Sequence, residues 1–255
     1  TLSYAIGQAN NHGTSEAAAL FVGGSLLVEN ERNSEANEWE KVGRKWMEDR
    51  VSTLISDDGS FSQYSVTYHR FMMDTCNLVE IWRKHLNREN FSNGYIKKMR
   101  LTTKWLIHMT DPETGNAPNL GANDGSRLMV LCDSDYRDFR PTCQVSSALF
   151  EGCKAYDNSG LWNQALIWTG INIQENKTPL LESKSFDIGG LHILRKDEAV
   201  AFLKYPRYRF RPRQSDALHC DLWIKGKNIA RDAGSFSYNY SSEDSAYFNG
   251  TKAHN

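Results

Sequence analysis

The pattern of apolar positions divides the chain into a helical part followed by a part built of short strands. In the first part, apolar residues recur at steps of three and four, the period of a helix with one inward face. The segment 14–28 is apolar on nearly every side, which predicts a helix buried all round. The segment 34–55 carries its charges on one side and predicts an outer helix. Further helical patterns cover 94–109, 142–156 and 161–171.

Another helix is predicted just after the turn Asp57-Asp58-Gly59-Ser60. Ser60 stands three residues before Gln63, which is the spacing of a capping box that opens a helix. The residues that follow at helical steps form one inward face: Tyr64, Tyr68, Phe71, Met72, Thr75, Val79 and Trp82. Residues 111–138 then form a long polar loop, and a loop of this length is typical of a functional surface.

The pattern changes to short β-type runs near Phe186. The runs 191–194, 199–203 and 218–224 are separated by turn residues, as in an antiparallel sheet. Helices followed by strands predict two structural parts in sequence, at residues 1–185 and 186–255. Only a few strands of the second part are present, so we expect a fragment of a larger protein.

Composition narrows the class of protein. The hydrophobic fraction of 40% and the charged fraction of 24% are those of an ordinary globular protein. A net charge of -1 gives no overall field that would attract nucleic acid. No apolar run approaches the roughly 20 residues of a membrane-spanning helix, and the first residues lack the pattern of a secretion signal. The five cysteines show no CxxC spacing, so we expect them to be mostly free and buried.

Candidate chemistry begins with Asn11-His12, at the start of the first long predicted helix. Unpaired backbone N–H groups and the positive end of the helix dipole favour a bound carboxylate there. Asn11 can donate hydrogen bonds to such a group, and His12 can take up a proton near neutral pH. The alternative is that these residues only cap the helix, since asparagine is favoured at that position.

Tyr68 is a second candidate because it is followed directly by His69 and Arg70. A buried tyrosine beside cations has a lowered pKa and serves as an acid or a base. The alternative is a core tyrosine whose hydroxyl is satisfied.

Arginines recur at every second position from Arg207 to Arg213. In an extended strand they would form one face suited to carboxylate or sulfate groups. The alternative is a solvated edge strand. In the same part, His219, Asp221, Asp232 and His254 could bind zinc, although no two of them have the close spacing of a typical ligand pair.

Together these segments resemble the heparinase II/III-like polysaccharide lyases, a superfamily that includes alginate and heparan lyases. The step of 56 residues from His12 to Tyr68 is close to the spacing in that family. The resemblance covers nearly the whole chain, through these pieces: Asn11-His12 with Glu16, 58–60 with Gln63, Ser65 and Tyr68-His69, 121–127, 135–141, 216–221, 226–234 and 253–255.

The resemblance implies an (α/α) toroid followed by an antiparallel β-sandwich, both incomplete here. It also implies a lyase that cleaves a uronic-acid-containing polysaccharide by β-elimination. Asn11 would neutralise the sugar carboxylate, while His12 and Tyr68 would divide the roles of base and acid, with Tyr68 as the acid. The resemblance favours a periplasmic or secreted bacterial protein.

Several residues are expected to contact an anionic polysaccharide: Arg127, Arg207, Arg209, Arg211, Gln214 and His219. The family commonly has a histidine where this chain has Gln214, which cannot shuttle a proton. Asp232 and His254 resemble ligands of a structural zinc or calcium ion, and His219 is a substitute for the third.

Two other functions are compatible with the sequence. A hydrolase on a similar helical scaffold would use Asp124 and Glu113 as acid and base. A non-catalytic glycan-binding protein, acting in surface-polysaccharide metabolism, would tolerate Gln214 in place of the histidine.

Overall fold

The computed structural model describes residues 2–30, 35–173, 175 and 178–255. The described residues form helices first and a sheet afterwards, with one further helix near the end. The helices are α1 (Leu2–Gly7), α2 (Asn11–Glu29), α3 (Ala36–Leu54), α4 (Val66–His85), α5 (Asn93–Met109), α6 (Arg140–Phe150), α7 (Gln164–Trp168) and α8 (Ser242–Asn249). The strands are β1 (Lys184–Phe186), β2 (Leu191–Lys196), β3 (Ala199–Lys204), β4 (Cys220–Ile224) and β5 (Lys227–Ala230).

Helix α2 packs closely against α3 through one face. Its buried positions recur at helical steps and are mostly small residues: Gly13, Thr14, Ala17, Ala18, Phe21, Gly24 and Ser25. The prediction of a helix buried on all sides is wrong, because the opposite side is open and Leu26 is 45% exposed. Many apolar residues on this helix are small, so the apolar pattern overstated how much of the helix is enclosed.

Helix α3 is an outer helix, as predicted. It buries Gly43, Met47, Val51 and Leu54 on one side and exposes charged residues on the other. Ser34, the first residue of the predicted segment, lies outside the described residues.

Helix α4 begins after Ser65 rather than at Ser60. The Ser65 hydroxyl accepts the backbone N–H of Tyr68 at 3.1 Å, which is the N-cap hydrogen bond. Tyr64 precedes the helix with a positive φ of 53° and is not part of the helical face. The predicted capping box at Ser60 is therefore wrong, since the Gln63 side chain turns to α2 and accepts the backbone N–H of Asn11 at 2.8 Å.

The main core lies where α4, α5 and α6 meet. Met73, Met99, Leu106 and Phe139 are all nearly inaccessible to solvent. Helix α5 matches its predicted range closely. Helix α6 ends at Phe150, before the predicted 156, and the predicted segment 161–171 contains only a 3₁₀ turn followed by the short α7.

The strands form one antiparallel sheet in the order β1-β2-β3-β4-β5. The three predicted runs correspond to β2, β3 and β4, while the short outer strands β1 and β5 were not predicted. One face of the sheet is buried and includes Ile193, Phe202 and Trp223. The helical part followed by an antiparallel sheet agrees with the predicted order of elements.

The sheet is fastened to the helical part. Asp58 Oδ2 accepts the backbone N–H groups of Ile188 at 2.8 Å and Gly189 at 2.9 Å, and Arg195 Nη2 donates to the His108 carbonyl at 2.6 Å. Strand β1 begins at Lys184, and the division of the chain after residue 185 remains a prediction.

Composition also led to expectations about the cysteines and about membrane-spanning helices. All five cysteines are free, and three of them, Cys76, Cys143 and Cys153, are buried. In the described ranges, no helix is both long and apolar enough to cross a bilayer.

The contact between α2 and α3 gives a stability prediction with a matched control. A Cβ atom at Gly24 would lie 2.5 Å from the Glu40 backbone nitrogen, so Gly24→Ala should destabilise the fold by about 1–3 kcal/mol. A Cβ atom at Gly23 meets nothing within 4 Å, so Gly23→Ala should be neutral or stabilise by about 0.5–1 kcal/mol. Urea unfolding followed by circular dichroism measures both. Equal effects of the two variants would contradict this packing.

Candidate active site

A cleft of about 1150 Å³ opens between the start of α2, the start of α4 and the segment after β3. We call it the main cleft. It brings together five residues singled out in the sequence, His12, Tyr68, Arg209, Arg211 and Arg213. Its wall also includes Gln63 and Tyr238, which were not predicted as site residues.

The start of α2 forms one wall of the main cleft. Asn10, and not Asn11, caps the helix, because Asn10 Oδ1 accepts the backbone N–H of His12 at 3.0 Å. The backbone N–H of Asn11 is taken by Gln63. His12 is exposed and lines the main cleft, whereas Asn11 is half-buried and is not part of the lining. Two of the first N–H groups of the helix are therefore already occupied by side chains.

Tyr68 lies in the first turn of α4, where the Ser65 cap fixes the backbone. Its hydroxyl donates to Asp124 Oδ2 at 2.8 Å and lies 3.3 Å from the hydroxyl of Tyr238. Only 9% of the Tyr68 residue is exposed. The phenol thus sits at the border of the main cleft, between a carboxylate and a second phenol.

The environment of Tyr68 raises its pKa above the ordinary value. Burial is the largest cause, followed by the hydrogen bonds with Tyr238 and Asp124. The expectation of a lowered pKa for Tyr68 is wrong. Consecutive residues of a helix point about 100° apart, so His69 and Arg70 point in other directions than the Tyr68 phenol. His69 is buried against Thr102, and burial lowers its pKa to about 3, while Arg70 donates to the Tyr136 carbonyl at 2.6 Å.

Asp124 is held by its own loop. Its Oδ1 atom accepts the backbone N–H of Ser126 at 3.0 Å. Burial alone would raise the pKa of Asp124, but hydrogen bonds from Ser126 and Tyr68 outweigh it and the pKa lies below the usual value. Asp124 is therefore ionised at neutral pH.

The residues from Arg207 to Arg213, which we call the arginine segment, do not form a strand. Strand β3 ends at Lys204, and the next strand begins at Cys220, so the predicted extended face with alternating arginines is wrong. The segment is fixed instead by Tyr64, whose hydroxyl accepts the backbone N–H groups of Arg209 at 2.8 Å and Phe210 at 3.1 Å. Arg209, Arg211 and Arg213 line the main cleft, whereas Arg207 lines only a second depression of about 280 Å³, to which Arg209 also contributes.

A buried ion pair anchors the same segment. Lys204 Nζ contacts Asp216 Oδ2, and the side chains are only 7% and 1% exposed. Lys204 Nζ also donates to the Tyr64 carbonyl at 3.3 Å, and the Tyr208 hydroxyl donates to Asp216 Oδ1 at 3.1 Å. Both ends of the arginine segment are thereby tied to the residues that precede α4.

Besides Arg207, three further predicted substrate-binding residues lie away from the main cleft. Gln214 is buried and its Nε2 atom donates to the Ser235 hydroxyl at 3.2 Å. Arg127 donates to the carbonyl and hydroxyl oxygens of Ser134, and His219 is fully buried. A role for these residues toward substrate stays a prediction.

Asp232 and His254 are neighbours, as the resemblance implied. His254 Nδ1 lies 2.8 Å from Asp232 Oδ2, and His219 Nε2 lies 4.0 Å from the same oxygen. The Nε2 atoms of both histidines are buried without a hydrogen-bond partner, and the donor set suits zinc. Within the described ranges, however, no three side chains of His, Cys, Asp or Glu are arranged to hold a metal ion. A metal-binding role of Asp232 and His254 therefore stays a prediction, and no chemical step is assigned to a metal.

The carboxylates required for hydrolysis do not share a cavity. Asp124 lines a polar cavity of about 710 Å³ beside the main cleft, which we call the neighbouring cavity, and Tyr238 lines both. Glu113 lines neither of them, and its side chain is exposed. The geometry gives the hydrolase alternative no support.

Tyr238 and the Tyr68–Asp124 pairing were missed at the sequence level. Tyr238 lies 170 residues from Tyr68 along the chain, and Asp124 lies 56 residues from it. Contacts over such separations leave no periodic signal in one sequence.

Two parts of the chain match models of known protein families. Residues 2–140 match the family model of the heparinase II/III N-terminus, and residues 178–255 match that of the heparinase II/III-like C-terminal region. The chain therefore belongs to the heparinase II/III family, which confirms the resemblance seen in the sequence. No curated protein matches the chain.

Solved structures share the fold over 96% of this chain. A mutant of the heparan sulfate lyase HepC from Pedobacter heparinus is 21% identical, with a TM-score of 0.69 and 36% of its own length covered. Heparinase III is 18% identical, with a TM-score of 0.72 and 38% of its own length covered. The heparinase III encoded by BT4657 is 19% identical, with a TM-score of 0.70 and 36% of its own length covered. These matches confirm the predicted fold class, part of an (α/α) toroid followed by the first strands of an antiparallel β-sandwich. The chain spans little more than a third of the length of these proteins.

The Lys204–Asp216 pair yields a second stability prediction. Lys204→Met leaves a buried carboxylate without its cation and should lower the free energy of unfolding by about 3–5 kcal/mol. Lys225→Met removes an exposed pair with Glu198 and should cost less than about 1 kcal/mol. Chemical denaturation of both variants tests this. A small loss in Lys204→Met would show that the pair does not anchor the arginine segment.

Proposed function

We propose that the chain carries the reaction site of a polysaccharide lyase that cleaves a uronic-acid-containing polysaccharide by β-elimination. The observation that supports this most strongly is the shared location of His12, Tyr68, Arg209 and Arg211 on the wall of one cleft. A proton acceptor, a proton donor and cations for a carboxylate are the three components that this reaction requires. Membership of the heparinase II/III family supports the same function.

Neutralising the sugar carboxylate makes the C5 proton acidic. Two backbone N–H groups at the start of α2 are occupied, by Asn10 and Gln63, so the helix end contributes less than its position indicates. Arg209 and Arg211 supply the positive charge, and guanidinium groups bind carboxylates in a bidentate manner. A role of the Asn11 side-chain amide in neutralising the carboxylate stays a prediction, because Asn11 is not part of the lining of the main cleft.

The proton transfers are divided between His12 and Tyr68. His12 is exposed in the main cleft and takes the C5 proton, while the electron pair of that C–H bond forms the C4–C5 double bond. The C4–O4 bond breaks and O4 leaves with its electron pair. Tyr68 donates the proton that O4 needs, since the raised pKa keeps this phenol protonated.

A second candidate function is binding of an anionic polysaccharide without cleavage. Gln214 favours it, because this side chain cannot shuttle a proton and is buried against Ser235 instead of facing the main cleft. Retained binding without turnover would distinguish this function from lyase activity.

The lyase proposal is tested with a panel of uronic-acid polysaccharides. The C4–C5 double bond of the product absorbs in the ultraviolet, so turnover is followed directly. Tyr68→Phe removes the proton donor and should lower kcat/KM by about 10²- to 10⁴-fold.

Tyr95→Phe is the matched control, since Tyr95 is another buried tyrosine of the helical part and lines neither cavity. It should leave turnover near the wild-type value. Absence of unsaturated product from every polymer, or full activity in Tyr68→Phe, would rule out the proposed reaction.

A further inference from the structure

Asp124 is bound at both of its carboxylate oxygens. Oδ1 accepts the backbone N–H of Ser126 at 3.0 Å, and Oδ2 accepts the hydroxyl of Tyr68 at 2.8 Å. The first contact fixes the carboxylate to its own loop, and the second orients the phenol at the border of the main cleft. The same loop is tied to α4, because the Ser65 hydroxyl donates to the Ala122 carbonyl at 2.5 Å.

We propose that Asp124 is a positioning residue that orients the Tyr68 hydroxyl and keeps its proton in place, so that Tyr68 acts as the acid of the elimination and not as the base. This inference rests on the proposed lyase function. It assigns Asp124 a role different from that of a hydrolytic carboxylate, since Asp124 acts here through Tyr68.

The charges around Tyr68 decide which protonation state is favoured. A phenolate at Tyr68 would lie 2.8 Å from an ionised carboxylate, and like charges at this distance oppose each other strongly. The cations Arg209 and Arg211 line the main cleft and favour the phenolate, as His12 does when it is protonated. Arg213 is directed to another group, because its guanidinium lies 4.1 Å from the centre of the Tyr238 ring.

Burial and the two hydrogen-bond partners outweigh these cations. The pKa of Tyr68 is raised, first by burial, then by Tyr238 and Asp124. Tyr238 adds no charge of its own, since its phenol also has a raised pKa owing to burial. Asp124 is therefore the one fixed negative charge within hydrogen-bonding distance of the Tyr68 hydroxyl in the described part of the chain.

The proton balance of the reaction is consistent with this role. When Tyr68 gives its proton to the departing O4, a phenolate remains beside the Asp124 carboxylate. That phenolate is strongly basic and regains a proton from solvent in the main cleft, which Tyr68 lines. His12 returns the C5 proton to solvent. Asp124 ends the cycle in the ionised state in which it began.

The test combines Asp124→Asn with tyrosine carrying ¹³C at Cζ, and the Tyr68 signal is assigned with Tyr68→Phe. Removing the charge should lower the pKa of Tyr68 by about one unit or more, so more of this phenol is ionised at alkaline pH than in the wild type. In the activity assay, kcat should fall about 10- to 100-fold with little change in KM. The alkaline limb of the pH profile should move to lower pH.

Two further variants separate position from charge. Asp124→Glu keeps the charge on a longer side chain, so the Tyr68 titration should stay near that of the wild type while part of kcat is lost. Asp133→Asn removes an exposed carboxylate from the same loop and should change neither readout.

A rise in kcat at neutral pH in Asp124→Asn would overturn the inference, because it would show that Tyr68 works as a base. An unchanged Tyr68 titration would overturn it as well. The nuclear magnetic resonance readout needs no turnover, so it tests the Asp124–Tyr68 coupling even if no polymer is cleaved. Failure of the lyase function and failure of this inference are thereby distinguished.

Discussion

The start of α4 lies directly against residues 120–124, and the geometry of the candidate site follows from that contact. The Ser65 hydroxyl caps α4 by accepting the Tyr68 N–H and donates to the Ala122 carbonyl, while the Val66 N–H donates to the Leu120 carbonyl at 3.1 Å. A Cβ atom on Gly121 would lie 2.3 Å from the Tyr64 carbonyl oxygen, so glycine is required there, also because φ is +73°. This contact places the Tyr68 hydroxyl against Asp124.

Other hydrogen bonds and one ion pair fix His12 and the arginine segment at the same cleft. Helix α2 carries His12 and is joined to the segment before α4 through the Asn11–Gln63 hydrogen bond. The arginine segment is held by the Tyr64 hydroxyl and by the buried Lys204–Asp216 pair. Burying that pair is unfavourable unless both charges are well satisfied, and the contacts of Tyr64 and Tyr208 with it provide this. The arginines and the protonated Tyr68 phenol are thus fixed on the wall of one cleft.

Periodicity predicted the elements well where one face of an element is buried, as in α3, α5 and strands β2 to β4. It failed where a local contact decides the structure. Ser60 has the spacing of a cap, but Ser65 forms it, because the latter hydroxyl also reaches Ala122. The alternation of arginines indicated a strand, but the Tyr64 hydroxyl takes the backbone N–H groups that would join a sheet. The resemblance to the heparinase II/III family singled out His12 and Tyr68, whereas only the fold reveals Asp124 and Tyr238 beside Tyr68.

We propose that His12, Tyr68 and the arginine segment act on one glycan in the main cleft. A crystal structure of the Tyr68→Phe variant with a uronic-acid oligosaccharide tests it most directly. We expect a uronic-acid residue in the main cleft, with its carboxylate on Arg209 or Arg211, its C5 facing His12 and its O4 facing residue 68. An oligosaccharide bound elsewhere, or one whose carboxylate points away from these arginines, would contradict this proposal.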